Sequence, residues 1–443
     1  MKHTPAAHAC SPFPARRSAF ARRMGRETAV AVLVGAREIL RNGDVSHAFR
    51  QDSDFHYLTG FDEPDAVAVI APGLPAPYVL FVRPRDRAME TWHGPRAGVE
   101  GARRRHGAAA SYPIGRLDEI LPGLLASADR LFYRVGRDAA FDEKLIGMMN
   151  RLRTQGRAGI KAPSTLEDPT PLLAEMRLFK GPGELDLLRK AVALTREGHL
   201  AAMAATRAGR VEYEIQAELE GVFRAGGSPR VGYETIVGSG ANATILHWIR
   251  NDRRMKDGDL VLIDAGTEFG YYTADITRTF PVGGRFSKEQ RAVYDVVLAA
   301  QEAGIRKARP GVTFQAVHDA STEVLIEGCL RLGLLKGTVK QNLKSGAYRE
   351  FYMHKTSHWL GMDVHDAGSY KDGEKWRKLQ PGMVLTVEPG LYISPDCRRV
   401  AARWRGIGVR IEDDILVTKG GRENLSEAIP KSADEMETLS GRG

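Results

Sequence analysis

Leu260-Val-Leu-Ile-Asp264-Ala-Gly-Thr-Glu-Phe-Gly-Tyr-Tyr-Thr-Ala-Asp275 decides how the second half of this chain folds. An apolar run, a turn region carrying Gly266 and Gly270, and a returning run from Tyr271 to Thr279 read as two antiparallel strands. With the turn centred on Phe269-Gly270, Asp264 and Asp275 stand opposite each other. Directly opposed side chains have Cβ atoms about 4.5–5.5 Å apart, and like charges there destabilise the pair, so a cation is expected between them. Taken alone, the spacing is met as well by one turn aspartate and one solvent-facing aspartate.

A second pair strengthens the case. Glu388, in Leu385-Thr-Val-Glu-Pro-Gly390, and Glu412, in Gly408-Val-Arg-Ile-Glu-Asp-Asp-Ile415, each end an apolar, strand-like run. A carboxylate buried among apolar neighbours needs a counter-ion or a proton. Histidine offers the remaining ligand: His354, His358 and His365 lie in Phe351-Tyr-Met-His-Lys-Thr-Ser-His-Trp-Leu-Gly-Met-Asp-Val-His-Asp366, beside Gly361. Any one of them could be a core histidine or half of a helical pair; together they mark a site. Four carboxylates (Asp264, Asp275, Glu388, Glu412) and the imidazole of His358 suit hard or borderline divalent ions, Mn²⁺ best, with Co²⁺ or Zn²⁺ as alternatives. Their charge balances two such ions, which at about 3.5–4 Å separation can activate water and clamp an amide carbonyl.

Outward from this region the chain divides in two. In the first third, Thr28–Val34, Asp65–Ala71, Tyr78–Val82 and Leu131–Val135 read as strands, and Phe141–Leu152 as a helix, giving a small α/β domain. Between Gln155 and Pro171 periodicity fades and Gly and Pro punctuate the chain, so the boundary is placed there: an N-terminal domain over 1–170 and a C-terminal domain over 171–443. Helical patterns follow at Glu184–Arg207 and Glu212–Arg224. Ser287 and Gln290 have capping-box spacing ahead of Val293, Val296, Val297 and Ala300 on one helix face, and another helix is marked by Phe314, Val317, Val324 and Leu325. With strands at Leu260–Ile263, Tyr271–Thr279, Met383–Val387 and Gly408–Leu416, the second domain is α+β, its helices covering one face of a curved antiparallel sheet.

Composition excludes several classes. No run approaches the roughly 20 apolar residues of a membrane span. The formal charge is +9 over 443 residues, but the basic clusters, Arg16-Arg17, Arg22-Arg23 and Arg103–Arg105, are scattered and lack interleaved aromatics. They read as solvated faces rather than a nucleic-acid platform. Cys10, Cys329 and Cys397 are odd in number and unpaired in spacing, which argues against a disulfide framework and fits a reducing cytoplasm. The stretch before Glu27 is acid-free and rich in Ala and Arg, similar in composition to an organellar presequence, but it lacks the apolar core of a secretory signal. It reads as a ragged terminus leading into a first helix.

The motifs Ile263-Asp-Ala-Gly266, Ala274-Asp-Ile-Thr-Arg-Thr-Phe280, Ser357-His-Trp-Leu-Gly-Met-Asp-Val-His-Asp366, Thr386-Val-Glu-Pro-Gly-Leu-Tyr392 and Gly408-Val-Arg-Ile-Glu-Asp-Asp414, in this order, resemble the pita-bread metallopeptidases, and within them the aminopeptidase P (Xaa-Pro aminopeptidase) family. The resemblance runs from about Pro12 to the end of the second domain. It implies a pita-bread catalytic domain with two metal ions per subunit. Asp275 and Glu412 would bridge the ions, Asp264 would bind one, and His358 with Glu388 the other. It further implies that Glu388 helps deprotonate water, that His365 stabilises the tetrahedral intermediate, and that His247, in Ala243-Thr-Ile-Leu-His-Trp248, lies near the scissile carbonyl. His354, Arg410 and Tyr392 would form the substrate-binding set around proline.

In the first domain, Arg50–Phe55, Tyr57–Phe61 and Glu90-Thr-Trp92 match as well. There the resemblance implies a homo-oligomer, dimer or tetramer, and makes Trp92 a candidate lid over a neighbouring subunit's site. Lys180-Gly-Pro-Gly-Glu184 departs from the family pattern, with glycines where Ser and Glu are usual, and a weakened helix cap is expected. The implied reaction releases the first residue of peptides with proline second. The competing readings are a proline dipeptidase, restricted to Xaa-Pro dipeptides, and a non-catalytic binding protein on the same fold.

Overall fold

The computed structural model describes residues 11–25, 28–126 and 128–440. Cys10 and the rest of the first ten residues lie outside them, as does Glu27, whereas the expected first helix runs Pro12–Met24. The chain separates into two compact units, the second beginning at Arg177. This division lies inside the helix Thr170–Leu178, six residues after the boundary expected between residues 170 and 171. Pro171 falls in the first turn of that helix, where a proline gives up an N–H that would have no partner anyway.

In the first unit a six-stranded sheet runs Ala110–Pro113, Tyr78–Val82, Val67–Ile70, Ala29–Val34, Arg130–Phe132, Thr165–Glu167 in spatial order. Its centre is antiparallel and its flanks are parallel. Val30, Val32, Val67, Val69, Val79 and Phe81 project from one face onto the helices Leu117–Leu125 and Ala139–Thr154. That is the α/β arrangement read from the sequence.

The second unit is α+β, and every strand pair described in it is antiparallel. Leu260–Ala265 lies between Ile236–Ser239 and Ile276–Pro281; Asp413–Thr418 lies between Val384–Val387 and Gly421–Asn424. The helices Pro182–Ala205, Glu212–Ala225, Lys288–Lys307 and Phe314–Arg331 supply the other layer. Their apolar faces, including Met203, Leu219, Val293, Val297 and Leu325, share one core with Val261, Ile263 and Phe280 of the strands. The capping box at Ser287 and Gln290 forms as expected. The Gly181 cap is firmer than its lack of a side chain led us to expect, because the Glu184 carboxylate accepts the Gly181 N–H at 2.8 Å and Pro182 occupies the first helical turn.

The hairpin between Asp264 and Asp275 closes one residue later than expected. Phe269 pairs with Tyr272, so the turn centres on Gly270-Tyr271, and both take left-handed backbone, at φ 58° and 72°. Two successive positive φ values match the right-handed twist of the flanking strands. Asp264 consequently faces Thr277, and Asp275 is its diagonal neighbour. A register change of two residues keeps both carboxylates on one face, since side chains alternate with period two.

Candidate metal centre

Three of the four expected carboxylates sit where strands break. Asp275 lies between Tyr272–Thr273 and Ile276–Pro281, Glu388 between Val384–Val387 and Gly390–Ile393, and Glu412 between Ile407–Arg410 and Asp413–Thr418. Asp264 lies within a strand. His358 stands on an irregular segment, and its backbone is tied to Thr386 on both sides: the Thr386 N–H donates to His358 O at 3.0 Å, and His358 N–H to Thr386 Oγ1 at 3.2 Å.

All five ligand candidates line one cavity of about 1010 Å³. Ligand atoms of Asp275, His358 and Glu412 lie within 4.8 Å of one another. His358 Nε2 is 3.2 Å from Asp275 Oδ2 and 3.7 Å from Glu388 Oε1. Its Nδ1 meets Trp359 O at 3.0 Å, a bond that places the proton on Nδ1 and leaves Nε2 to face the carboxylates. Asp264 joins the group through two other side chains. Arg410 Nη2 donates to its Oδ2 at 2.5 Å, and the Tyr233 hydroxyl reaches Asp264 Oδ1 at 2.6 Å and Asp275 Oδ1 at 2.5 Å.

Electrostatically this is a site with more negative charge than it can hold unaided. Burial pushes Glu388 up to about 8 and, with the neighbouring carboxylates, raises Glu412 well above its usual range; burial raises Asp275 too. Burial opposes charging of His358, but the bond to Asp275 overrides it and raises the imidazole to about 9. Protons or cations must fill such a cluster. The donor set, carboxylate oxygens with one oriented imidazole nitrogen, fits hard or borderline divalent ions.

The remaining candidates surround this cluster. His354 Nδ1 meets Lys355 O at 2.8 Å and lies 3.6 Å from Glu388 Oε2, while its Nε2 meets the Tyr392 hydroxyl at 2.9 Å. Tyr392 in turn accepts from Arg410 Nη1 at 3.0 Å. Burial, then the nearby Arg410 charge, lowers His354 to about 3, so the ring is neutral. His365 stands edge-on to His358 with ring centres 4.4 Å apart, and burial and the His358 charge lower its pKa. Its neighbour Asp366 is buried and held by Arg177 at 2.6 Å and Lys180 at 2.9 Å. His247 lines the same cavity from an exposed loop. Trp92 is 81% exposed on the helix Arg87–His93 of the first unit.

The profile of metallopeptidase family M24 matches residues 186–419, the stretch that carries all five ligand candidates. The chain belongs to this family. The aminopeptidase P N-terminal domain matches residues 13–133. Among relatives, the M24 chain is 42% identical to the Xaa-Pro aminopeptidase of Escherichia coli (strain K12) over 96% of its own length and 97% of the relative's. Aminopeptidase PepP of Pseudomonas aeruginosa has a similar solved structure: TM-score 0.92, 47% identity, 96% of this chain and 97% of that one covered. A zinc-substituted E. coli aminopeptidase P in complex with product gives TM-score 0.91 at 42% identity, covering 96% and 98%. These likenesses place the chain in the Xaa-Pro aminopeptidase branch of M24 and identify the α+β unit as a pita-bread domain.

Sequence reasoning missed the residues that orient these ligand candidates. Tyr233, bridging Asp264 and Asp275, had no spacing signal. Thr277 donates to Glu412 Oε2 at 2.7 Å and accepts from Arg410 Nε at 3.1 Å. Arg278, fully buried, donates to Glu412 O at 2.6 Å and to Asp413 Oδ1 at 2.8 Å. Both follow Asp275 closely, and polar residues inside an otherwise apolar strand were the available clue.

Proposed function

We propose that this metallo-aminopeptidase holds two divalent ions, for which Asp264, Asp275, His358, Glu388 and Glu412 would be the ligands. The observation that carries this is the convergence of four carboxylates and one tautomer-locked imidazole on a single cavity. Mn²⁺ suits the oxygen-rich set best, with Co²⁺ or Zn²⁺ as alternatives. Bound there, such ions would supply Lewis acidity toward a carbonyl and lower the pKa of water.

The reaction is hydrolysis of the bond between a first residue and a second-position proline. The chain's own groups divide the work. Glu388, whose burial favours a bound proton, takes a proton from the attacking water at a carboxylate oxygen. His365 and His247 donate to the oxygen that gains charge at the scissile carbonyl, a role that needs donors already in place. Because the Xaa-Pro nitrogen carries no hydrogen, a subsite for proline gains nothing from an acceptor there. The neutral His354 ring, held by the Tyr392 hydroxyl that Arg410 in turn positions, instead offers a flat surface for the pyrrolidine ring. Asp264 pairs with the free amino terminus, which limits removal to one residue.

The same reading makes the enzyme a cytoplasmic homo-oligomer, dimer or tetramer, with Trp92 of one subunit covering the site of another. No described helix is long and apolar enough to cross a membrane. A tripeptide Xaa-Pro-Xaa tests the proposal: release of the first residue, loss of activity on chelation and recovery with Mn²⁺ are expected. Hydrolysis confined to Xaa-Pro dipeptides would replace it with the dipeptidase, and inertness with bound Mn²⁺ would refute catalysis altogether.

A further inference from the structure

The Glu212 carboxylate is fully buried at the start of the helix Glu212–Ala225 and takes no part in the chemistry above. Its Oε1 accepts from Ser239 N–H at 2.6 Å, Ser239 Oγ at 2.6 Å and Asn242 Nδ2 at 3.1 Å. Its Oε2 accepts from Trp248 Nε1 at 2.8 Å and Arg253 N–H at 3.0 Å. These donors span the loop that leaves the strand Ile236–Ser239 and returns at Arg253. Arg253 closes the ring by donating to Ser239 Oγ at 2.7 Å and Asp259 Oδ2 at 2.6 Å.

His247 lies at the outer part of that loop. Its neighbours Ile245 and Ile249 are 47% and 46% exposed, so little packing restrains it from outside. The residues beside it in the chain are the ones held. Trp248 is bonded to Glu212, and Leu246 O accepts from Arg410 Nη2 at 3.4 Å. Both side chains pack with Ile236, Ala243, Leu262 and Tyr392. Ile236 pairs directly with Asp264, so the loop is referenced to the strand that carries a ligand.

We propose that Glu212 is a positioning residue for His247: its buried carboxylate gathers Ser239, Asn242, Trp248 and Arg253 and thereby fixes where the His247 imidazole meets substrate. The inference rests on the catalytic reading of His247 given above. Only a carboxylate serves at this position, because donors converge on both oxygens and a carboxylate is the side chain that accepts at both without donating. Glutamine keeps the shape but turns an NH₂ toward either Ser239 and Asn242 or Trp248 and Arg253.

The test is a cycle of Glu212→Gln, His247→Ala and the double variant in the full-length, Mn²⁺-loaded enzyme, with kcat and KM measured on an Xaa-Pro-Xaa tripeptide and bound metal quantified. A displacement of about 1 Å at a catalytic group costs on the order of 100-fold in rate, so E212Q is expected to lose about tenfold or more in kcat, with KM and metal content close to wild type. In the double variant the loss should equal that of H247A alone, because residues acting through one another are non-additive. Wild-type kcat in E212Q, or fully additive losses in the double variant, would overturn the positioning role. Full activity in H247A would instead refute the catalytic reading beneath it. Should E212Q fail to fold, Asn242→Ala removes a single donor and is read through the same cycle with the same two outcomes.

Discussion

Thr277 provides the sharpest test of how the cage is held. It is fully buried, and its hydroxyl donates to Glu412 Oε2 at 2.7 Å while accepting from Arg410 Nε at 3.1 Å. Thr277→Val keeps the shape and removes both bonds, so the buried Glu412 carboxylate and Arg410 guanidinium each lose one partner. Hydrogen bonds to charged groups contribute about 1.5–3 kcal/mol each. Not all of that loss falls on the metal, since Arg410 keeps its bonds to Asp264 and Tyr392. Losing a group that orients a ligand weakens metal binding by about 10–100-fold, which corresponds to about 1.4–2.7 kcal/mol. The two figures agree if one charged hydrogen bond is the effective loss. Calorimetric titration with Mn²⁺ in chelator-buffered solution measures it, and Thr277→Ser, which restores the hydroxyl, should return most of the affinity. Wild-type affinity in the valine variant, or an equal loss in the serine variant, would show that Glu412 is oriented by something else.

Three further expectations concern the same site. The metal-free enzyme should lose stability as pH rises from 7 to 9: burial lifts Glu388 from 4.5 to about 8, and Asp275 lifts His358 from 6.5 to about 9 against the effect of burial, so the folded state holds protons that the unfolded chain has released. The window starts at 7 because the lowered imidazoles His106, His199, His318, His354 and His365 act with the opposite sign between their folded values and 6.5. Saturating Mn²⁺, which binds the deprotonated ligands, should abolish or reverse the slope in thermal melts; a metal-free melting temperature that climbs from 7 to 9 would contradict it. Asp264→Asn should abolish turnover with a modest stability loss, whereas Asp264→Ala also removes the ion-pair partner of the buried Arg410. Arg410 keeps its bonds to Tyr392 and Thr277, so the loss expected for the alanine variant by denaturant unfolding is larger, but below the ~3–5 kcal/mol of a fully uncompensated charge. Trp92→Ala should raise KM for tripeptides without changing metal content, and an unchanged KM would remove Trp92 from the substrate site.

That these carboxylates and the imidazole converge on one cavity was legible in the amino-acid sequence, because the residue types that metal chemistry asks for are conspicuous in apolar surroundings. Asp264, Glu388 and Glu412 each end or interrupt a run of buried residues, and that local contrast needs no knowledge of the fold. Register was a different matter. Gly270 announced a turn, but nothing in the sequence said that Tyr271 would join it at φ 72°, and this moved Asp275 from opposite Asp264 to the diagonal. The shared face survived only because the error was two residues. An error of one would have sent Asp275 into the opposite layer and left the carboxylate pair without a meaning.

The strand breaks were illegible for a related reason. Tyr271–Thr279 and Gly408–Leu416 read as continuous strands because the residues on either side of Asp275 and Glu412 are buried on both faces, so no alternation of polar and apolar positions marks where one strand stops. Those breaks coincide with three of the four ligand candidates. A regular strand sends successive side chains to opposite faces; Asp275, Glu388 and Glu412 stand where that alternation is interrupted, while Asp264 stays within its strand. The groups that then orient the ligands are distant in the chain: Tyr233 reaches Asp264 across 31 positions, and Thr277 reaches Glu412 across 135. Ligand identity is thus a local property of this sequence and ligand orientation a tertiary one, which is why substitutions at Thr277, Glu212 and Tyr233, rather than at the ligands themselves, separate the fold's contribution from that of the metal.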